Sequence, residues 1–245
     1  MLLKNLRVWT GEDATYSDVF NAIRILEDGT FEPIQSDEVR PGELAFDCQG
    51  LTALPGLIDA HVHLGLDPEV TDPFAHGKLP ESVQLEAMRH RTKMMLLAGI
   101  TTARDLGGGA WLELTVRDEI RSGKHRGTRL LCAGQPLTSR GGHCHFWGGE
   151  ATTLEEALAV LDRQHSKGVD LIKIMATGGS ITPGSQPEDA QFDQTLMDHA
   201  VNHARALGYE VAAHCHGVDG IRHATQAGVT TIEHCSWVGP SGWGK

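Results

Sequence analysis

From residue 54 onward the chain alternates short apolar segments with longer amphipathic ones, and this alternation restricts the fold more than any other feature of the sequence. Such alternation is typical of a parallel sheet with crossover helices. We predict six strands at 54–63, 101–106, 128–133, 171–176, 210–214 and 230–234. The predicted helices between them include 81–97, 154–166, 195–206 and 218–226. Repeated βα units of this kind predict an α/β fold with a TIM-like (β/α) barrel.

The segment before the barrel has a different pattern. It reads as short strands and turns: LLKNLRVW, then NAIRILEDGTFEPI with a turn at Asp28-Gly29, then ELAFDCQG. We therefore predict a small N-terminal β domain at residues 1–52 and the barrel at 53–245.

Composition excludes several classes of protein. The net charge is −11 with histidine neutral, and the basic residues are scattered, which argues against a nucleic acid partner. The sequence shows neither an apolar leader nor a run long enough for a membrane span, so we expect no membrane association and a cytoplasmic location. The 5 cysteines are odd in number and lack the paired spacing of a disulfide framework, which indicates reduced thiols.

Basic side chains recur at the carboxyl ends of the predicted strands, where barrels place their reactive residues. On an extended strand, residues i and i+2 share a face, so His61 and His63 can offer two imidazoles to one metal ion. The other members of this pattern lie in or after the third to sixth strands: His143, Lys173, His214, His216 and His234.

Lys173 lies within LIKIM, which is otherwise an apolar buried strand. Burial of an ammonium group is costly, and two explanations are open. The lysine could form an ion pair with a carboxylate. Alternatively, a neutral buried amine could add carbon dioxide and form a carbamate whose oxygens bridge two cations.

Six segments in order give the chain its resemblance to a known family. They are PGLIDAHVHLG, GITTARDLGG, TSRGGHCHFWGG, LIKIMATGG, VAAHCHG and TIEHCSW. The chain resembles the amidohydrolase superfamily, in the branch of imidazolonepropionases and Xaa-Pro or related dipeptidases. This resemblance covers essentially the whole chain.

The resemblance implies a binuclear metal centre. By position, His61 and His63 would bind one metal ion and His214 and His234 the second, with a carboxylated Lys173 as the bridge. Two zinc ions are the expected cofactors, since zinc accepts imidazole and carboxylate-type oxygen ligands.

Three further residues are candidate substrate contacts. His216 would polarise the substrate carbonyl, or else hydrogen-bond its own loop. His143 lies in a segment that reaches the substrate in similar enzymes, and Arg140 could receive a carboxylate or simply be solvated. Arg104 and Asp105 fit a buried structural pair as well as a catalytic role, so we assign them none.

Family members are longer and close an eight-stranded barrel, so the resemblance implies that the C-terminal part is absent and the barrel incomplete. The eighth-strand aspartate, which in the family binds metal and moves a proton, has no counterpart here. We expect either a truncated chain, a complementing C-terminal chain or a homo-oligomer.

The leading hypothesis is a metal-dependent hydrolase that cleaves a C–N bond in a dipeptide, another small amide or a cyclic amide, with a metal-bridging hydroxide as nucleophile. One alternative is a phosphotriester or lactone hydrolase that uses the same site. The other is a non-catalytic or complementation-dependent half-barrel subunit that only binds metal.

Overall fold

A computed structural model describes residues 1–9, 20–35, 38–67, 69, 72, 74–239 and 242–243. The chain divides into two compact units, Met1–Leu57 and Ile58–Lys245. The domain boundary between residues 52 and 53 stays a prediction of the sequence. Within the described ranges, no helix combines the length and the apolar character needed to cross a bilayer.

The first unit is a four-stranded sheet. Its strands are β1 (Leu2–Val8), β2 (Ala22–Ile25), β3 (Phe31–Ile34) and β4 (Ala45–Ala53), in the spatial order β3-β2-β1-β4. β2 and β3 form an antiparallel hairpin whose turn contains Gly29 at φ +83°, a conformation that favours glycine. The Asp28 carboxylate accepts hydrogen bonds from the backbone nitrogen and hydroxyl of Thr30, which closes this turn.

From Leu57 onward helices and strands alternate. They are β5 (Leu57–Val62), α1 (Glu81–Leu97), β6 (Ile100–Asp105), α2 (Leu112–Arg121), β7 (Arg129–Cys132), β8 (Thr138–Ser139), β9 (Glu150–Ala151), α3 (Leu154–Lys167), β10 (Ile172–Met175), α4 (Gln194–Ala206), β11 (Val211–Gly217), α5 (Val218–Ala227), β12 (Thr231–Gly239) and β13 (Gly242–Trp243). Each of the six predicted strands has a counterpart here, in β5, β6, β7, β10, β11 and β12.

These strands form more than one sheet. One has the order β5-β6-β7 and another β10-β11-β12-β13, while β8 and β9 pair separately. The pairs β6/β7, β10/β11 and β11/β12 are parallel, as the βα pattern predicts. The described strands do not make a closed barrel, so the α/β fold is confirmed and the incomplete barrel stays a prediction.

Local sequence explains where the helices begin and end. Thr153 accepts a hydrogen bond from the backbone nitrogen of Glu156, whose side chain bonds back to the backbone of Thr153, so α3 begins with a capping box. The Asp193 side chain accepts a hydrogen bond from the backbone nitrogen of Leu196 and so caps the start of α4. Gly168 and Gly228 end α3 and α5 in the left-handed conformation.

The main hydrophobic core lies between the β10–β12 sheet and its helices. Ile172 and Ile174 of β10 are fully buried, and they share one cluster with Leu161 of α3 and Met197 of α4. Burying an aliphatic side chain of this size contributes about 1.5–3 kcal/mol. This packing fixes the strands, and with them the side chains at the strand ends.

Candidate metal centre

The carboxyl ends of four strands bring most of the predicted site residues to one cavity of about 660 Å³. Among its lining residues are His61, His63, His143, Lys173, His214, His216 and His234. Arg140 does not line this cavity. Its guanidinium group is exposed, with Nε 3.0 Å from Thr152 Oγ1 and a terminal nitrogen 3.4 Å from Glu156 Oε1.

His61 and His63 at the end of β5 turn their Nε2 atoms toward each other, 3.2 Å apart. Two imidazole nitrogens bound to one tetrahedral zinc ion at about 2.0–2.1 Å would lie about 3.4 Å apart. The other nitrogen of each ring has a partner: His63 Nδ1 lies 3.1 Å from Gly107 O, and His61 Nδ1 lies 2.9 Å from Glu233 Oε2. Both Nε2 atoms are therefore oriented to share one cation.

A second group contains His214, His216 and His234, whose potential ligand atoms all lie within 4.8 Å of one another. His214 Nε2 lies 3.0 Å from Gly178 O, which leaves Nδ1 for a cation. The rings of His216 and His234 stack with centroids 4.7 Å apart. Sequence reasoning assigned His216 to the substrate alone, whereas the structure also brings it among the candidate ligands.

The backbone of β12 is irregular where it carries this group. His234 and Cys235 have φ angles of 64° and 51°, a region that residues other than glycine rarely adopt. The register between β11 and β12 shifts at the same place, between Cys215 and Gly217. Such irregularities re-aim side chains near functional sites, and here one directs His234 into the cavity.

Lys173 extends from β10 into the same cavity and is fully buried. Its Nζ has no hydrogen-bond partner among the residues that the structure describes. Burial lowers the pKa of this amine to about 8, because the charged form loses its hydration. A buried amine beside six histidines, without a partner among the described residues, is the feature that most clearly fits a missing binding group.

Burial also keeps four of the imidazoles neutral. It lowers the pKa of His63 to about 3 and those of His143 and His234 to about 4. The pKa of His214 falls well below its ordinary value for the same reason, and the neighbouring Lys173 charge acts in the same direction. Neutral rings at pH 7 have a free lone pair, so this site favours a metal cation over a proton.

Glu233 is the functional candidate that sequence reasoning missed. Burial alone would raise the pKa of Glu233, but hydrogen bonds from His61 and Thr231 and the charges of Lys173 and Arg104 bring it to about 2. The carboxylate is therefore ionised at neutral pH. The signal in the sequence was an acidic residue directly before His234, in an otherwise half-buried strand.

His143 is held at the cavity by its loop. Its backbone nitrogen donates to Gln191 Oε1 at 2.7 Å, and its ring Nδ1 lies 3.2 Å from Thr182 Oγ1. The ring lies 4.5 Å from that of His214, measured between centroids. This anchoring leaves Nε2 as the atom of His143 available to a bound molecule.

Comparison with known proteins agrees with this geometry. The model of the amidohydrolase family matches residues 52–239, and the chain therefore belongs to that family. This confirms the resemblance inferred from the sequence motifs.

Individual relatives are matched over only part of their own length. Ochratoxinase from Aspergillus niger is 27% identical over 216 residues, a match that covers 78% of this chain and 44% of that protein. A crystal structure of a Xaa-Pro dipeptidase with bound methionine in the active site has a TM-score of 0.81 at 26% identity, and covers 96% of this chain and 61% of that one. The crystal structure of a putative prolidase from Bifidobacterium longum has a TM-score of 0.76 at 31% identity, and the match covers 96% of this chain and 54% of that one. The chain thus spans less than half the length of the curated relative that it matches.

Proposed function

We propose that this chain carries the metal-binding part of a hydrolase that cleaves a carbon–nitrogen bond in a small amide. One observation carries the proposal: six histidines converge on one cavity with the buried Lys173, whose amine has no partner in the described part of the chain. Membership of the amidohydrolase family supports it. So does the likeness to proteins named ochratoxinase and Xaa-Pro dipeptidase.

In this proposal the donors hold two divalent cations, for which zinc suits the ligand chemistry. His61 and His63 would hold one cation and His214 and His234 the other. The neutral Lys173 amine would add carbon dioxide, lose a proton and supply carbamate oxygens as further ligands. Bound cations would lower the pKa of a water molecule to about 7 and polarise the substrate carbonyl.

Two further histidines act on the substrate. His216 lies beside His234, and its Nδ1 is 2.8 Å from Ser236 Oγ, which orients the ring. His143 is fixed by Thr182 and presents Nε2 to the cavity. A neutral imidazole can donate a hydrogen bond from its protonated nitrogen. Both rings can therefore stabilise the negative charge that forms on the carbonyl oxygen.

The proton for the leaving amine comes from another group. Glu233 is the carboxylate among the described residues that line the cavity, but it is ionised and engaged by His61 and Arg104. We therefore propose that an acid outside these residues completes the site, from a C-terminal segment or from a partner chain. The partner chain could be a complementing C-terminal chain or a second copy of this chain, as the sequence predicts.

The cavity wall indicates the size and polarity of the substrate. Leu66, Met175 and Ile181 line the same cavity as the histidines. A small-molecule amide or dipeptide with an apolar group would cover these side chains while its carbonyl faces the imidazoles.

Metal analysis tests the proposal. The protein, produced with zinc and bicarbonate present, should contain two zinc ions per chain, and Lys173→Ala should retain one. Lys93→Ala, which removes an exposed lysine of α1, is the matched control and should retain two. A wild-type chain without bound transition metal would overturn the proposal.

Activity separates the reaction classes. With the C-terminal segment or partner chain that supplies the acid present, we expect amine release from N-acyl amino acids or dipeptides, and loss of that release after treatment with a chelator. Hydrolysis of a lactone or a phosphotriester in the same assay, without amide cleavage, would favour the alternative reactions predicted from the sequence. Bound zinc without any hydrolysis would favour the metal-binding subunit.

A further inference from the structure

Arg104 links three strands of the second unit from a single position near the end of β6. Its Nε donates to Ala60 O of β5 at 2.7 Å. Its terminal nitrogens donate to Thr231 Oγ1 at 3.2 Å and to Glu233 Oε1 at 2.7 Å, both on β12. The guanidinium group therefore joins the strand that carries His61 to the strand that carries His234.

Glu233 has both carboxylate oxygens committed by these contacts. Oε1 accepts from Arg104 and from the Thr231 hydroxyl at 2.8 Å. Oε2 lies 2.9 Å from His61 Nδ1. The side chain is 8% exposed, so water does not compete strongly for either oxygen. An arginine bound at short distance keeps such a carboxylate charged and oriented.

These contacts determine where His61 carries its proton. An ionised carboxylate only accepts hydrogen bonds, so His61 Nδ1 must be the donor. A neutral ring with its proton on Nδ1 has its lone pair on Nε2. That atom is the one that faces His63 Nε2 across 3.2 Å. The contact thus selects the tautomer that can bind a cation at this place.

We propose that Arg104 and Glu233 are positioning residues, which hold His61 in the Nδ1-protonated tautomer and fix its Nε2 toward the shared cation position. This proposal deepens the proposed function and rests on it for the cation, but the contact between Glu233 and Nδ1 of His61 does not depend on metal. Carboxylate–histidine contacts of this kind set ring orientation and raise the basicity of a ligand.

Glu233→Gln tests the role because an amide cannot satisfy both neighbours. If the amide oxygen faces Arg104, the amide NH₂ group faces His61 Nδ1 and moves the ring proton to Nε2. If it faces His61, the NH₂ group opposes the guanidinium donors. In either orientation, we expect zinc affinity, measured by competition with a chromogenic chelator, to fall 10- to 100-fold.

Asp170→Asn provides a matched control. Asp170 is also a carboxylate held by arginine, with Oδ2 2.9 Å from an Arg117 nitrogen and Oδ1 2.6 Å from an Arg121 nitrogen. It lies outside the histidine-lined cavity. This variant should melt at a lower temperature than the wild type and keep its zinc affinity, so a general loss of stability is distinguished from a loss of positioning.

The wild-type protein gives a second readout that needs no variant. In metal-free protein labelled with ¹⁵N-histidine, NMR should show a proton on Nδ1 of His61. An Nδ1 atom without a proton would overturn the proposal, and so would Glu233→Gln with zinc affinity within twofold of the wild type. A protonated Nδ1 together with absent amide hydrolysis by the completed site would support the positioning role and refute the proposed function alone.

Discussion

Gly179 lies directly against the imidazole ring of His143. A Cβ atom on Gly179 would come within 2.6 Å of His143 Nε2, which is closer than real Cβ contacts allow. The absence of a side chain at residue 179 therefore permits the position of His143 in the cavity.

Gly179→Ala should displace His143. Overpacking of this kind costs about 1–3 kcal/mol of unfolding free energy. Because the ring would lose its place beside Thr182, we also expect a change in the ¹⁵N resonances of His143 and reduced amide turnover. Gly77→Ala is the control, since a Cβ there meets open space. Unchanged stability and unchanged His143 resonances in Gly179→Ala would contradict the contact.

Lys173→Met should stabilise the metal-free protein and destabilise the zinc-bound protein, each relative to the wild type. In metal-free protein the wild-type amine is buried without a partner among the described residues, so an apolar side chain of similar length should add about 1–3 kcal/mol. With saturating zinc the wild type should be the more stable protein, because it alone gains the bridging ligand. Denaturant unfolding with and without chelator measures both differences. A variant less stable than the wild type in chelator would show that Lys173 has a stabilising partner.

Hydrophobic periodicity predicted most of the second unit, because buried strands and amphipathic helices leave a direct record in the sequence. α1 spans Glu81–Leu97, the range that its pattern predicts. α2 was not among the predicted helices. It begins after Trp111, which has φ 61° and makes no side-chain cap, so the usual signal for a helix start is missing.

The site was predictable to the extent that its residues end strands. Strand ends and the loops after them meet at one edge of a sheet. Together with the family motifs, this pattern selected eight candidates, of which seven line the cavity and Arg140 does not. The link from Arg104 to Glu233 was not predictable, because it joins residues 129 positions apart whose pairing depends on the three-dimensional arrangement of β6 and β12.

Arg140→Ala should have little effect on catalysis. The guanidinium group is two-thirds exposed and already contacts Thr152 and Glu156, and exposed ion pairs of this kind contribute little. We expect KM for a substrate with a free carboxylate to stay within about twofold of the wild type. A tenfold rise in KM, limited to substrates with a carboxylate, would instead support the substrate role predicted from the sequence.

Glu113→Gln should change how stability depends on pH. Glu113 of α2 is buried, and its Oε1 has no partner among the described residues. Asp105 accepts hydrogen bonds from the backbone nitrogens of Leu64 and Gly107, which favours its charged form. Burial raises the pKa of both carboxyl groups, to about 8 for Asp105 and about 7 for Glu113. Because the two backbone donors stabilise a charged Asp105, Glu113 is the member of this buried acidic pair that keeps a proton.

The sign follows from the proton balance. Unfolded glutamate ionises near pH 4.3, so between about pH 4.3 and 7 the folded wild type holds a proton that the unfolded chain has lost. Wild-type unfolding free energy should therefore fall across this window, by at most about 1.4 kcal/mol per pH unit from this group. The amide of Glu113→Gln does not titrate. The unfolding free energy of the variant should therefore rise relative to that of the wild type between pH 5 and 7, and this difference should be constant above pH 7. The buried histidines contribute equally to both proteins and cancel in the difference.

Glu119→Gln is the matched control for this pH effect. Glu119 also lies on α2, but hydrogen bonds from Arg89 lower its pKa to about 2. Its stabilising contribution is present above the unfolded pKa and is lost only as pH falls toward 2. Between pH 5 and 8 the difference between Glu119→Gln and the wild type should therefore be constant. Parallel pH profiles for both variants in chelator would show that Glu113 is ionised in the folded protein.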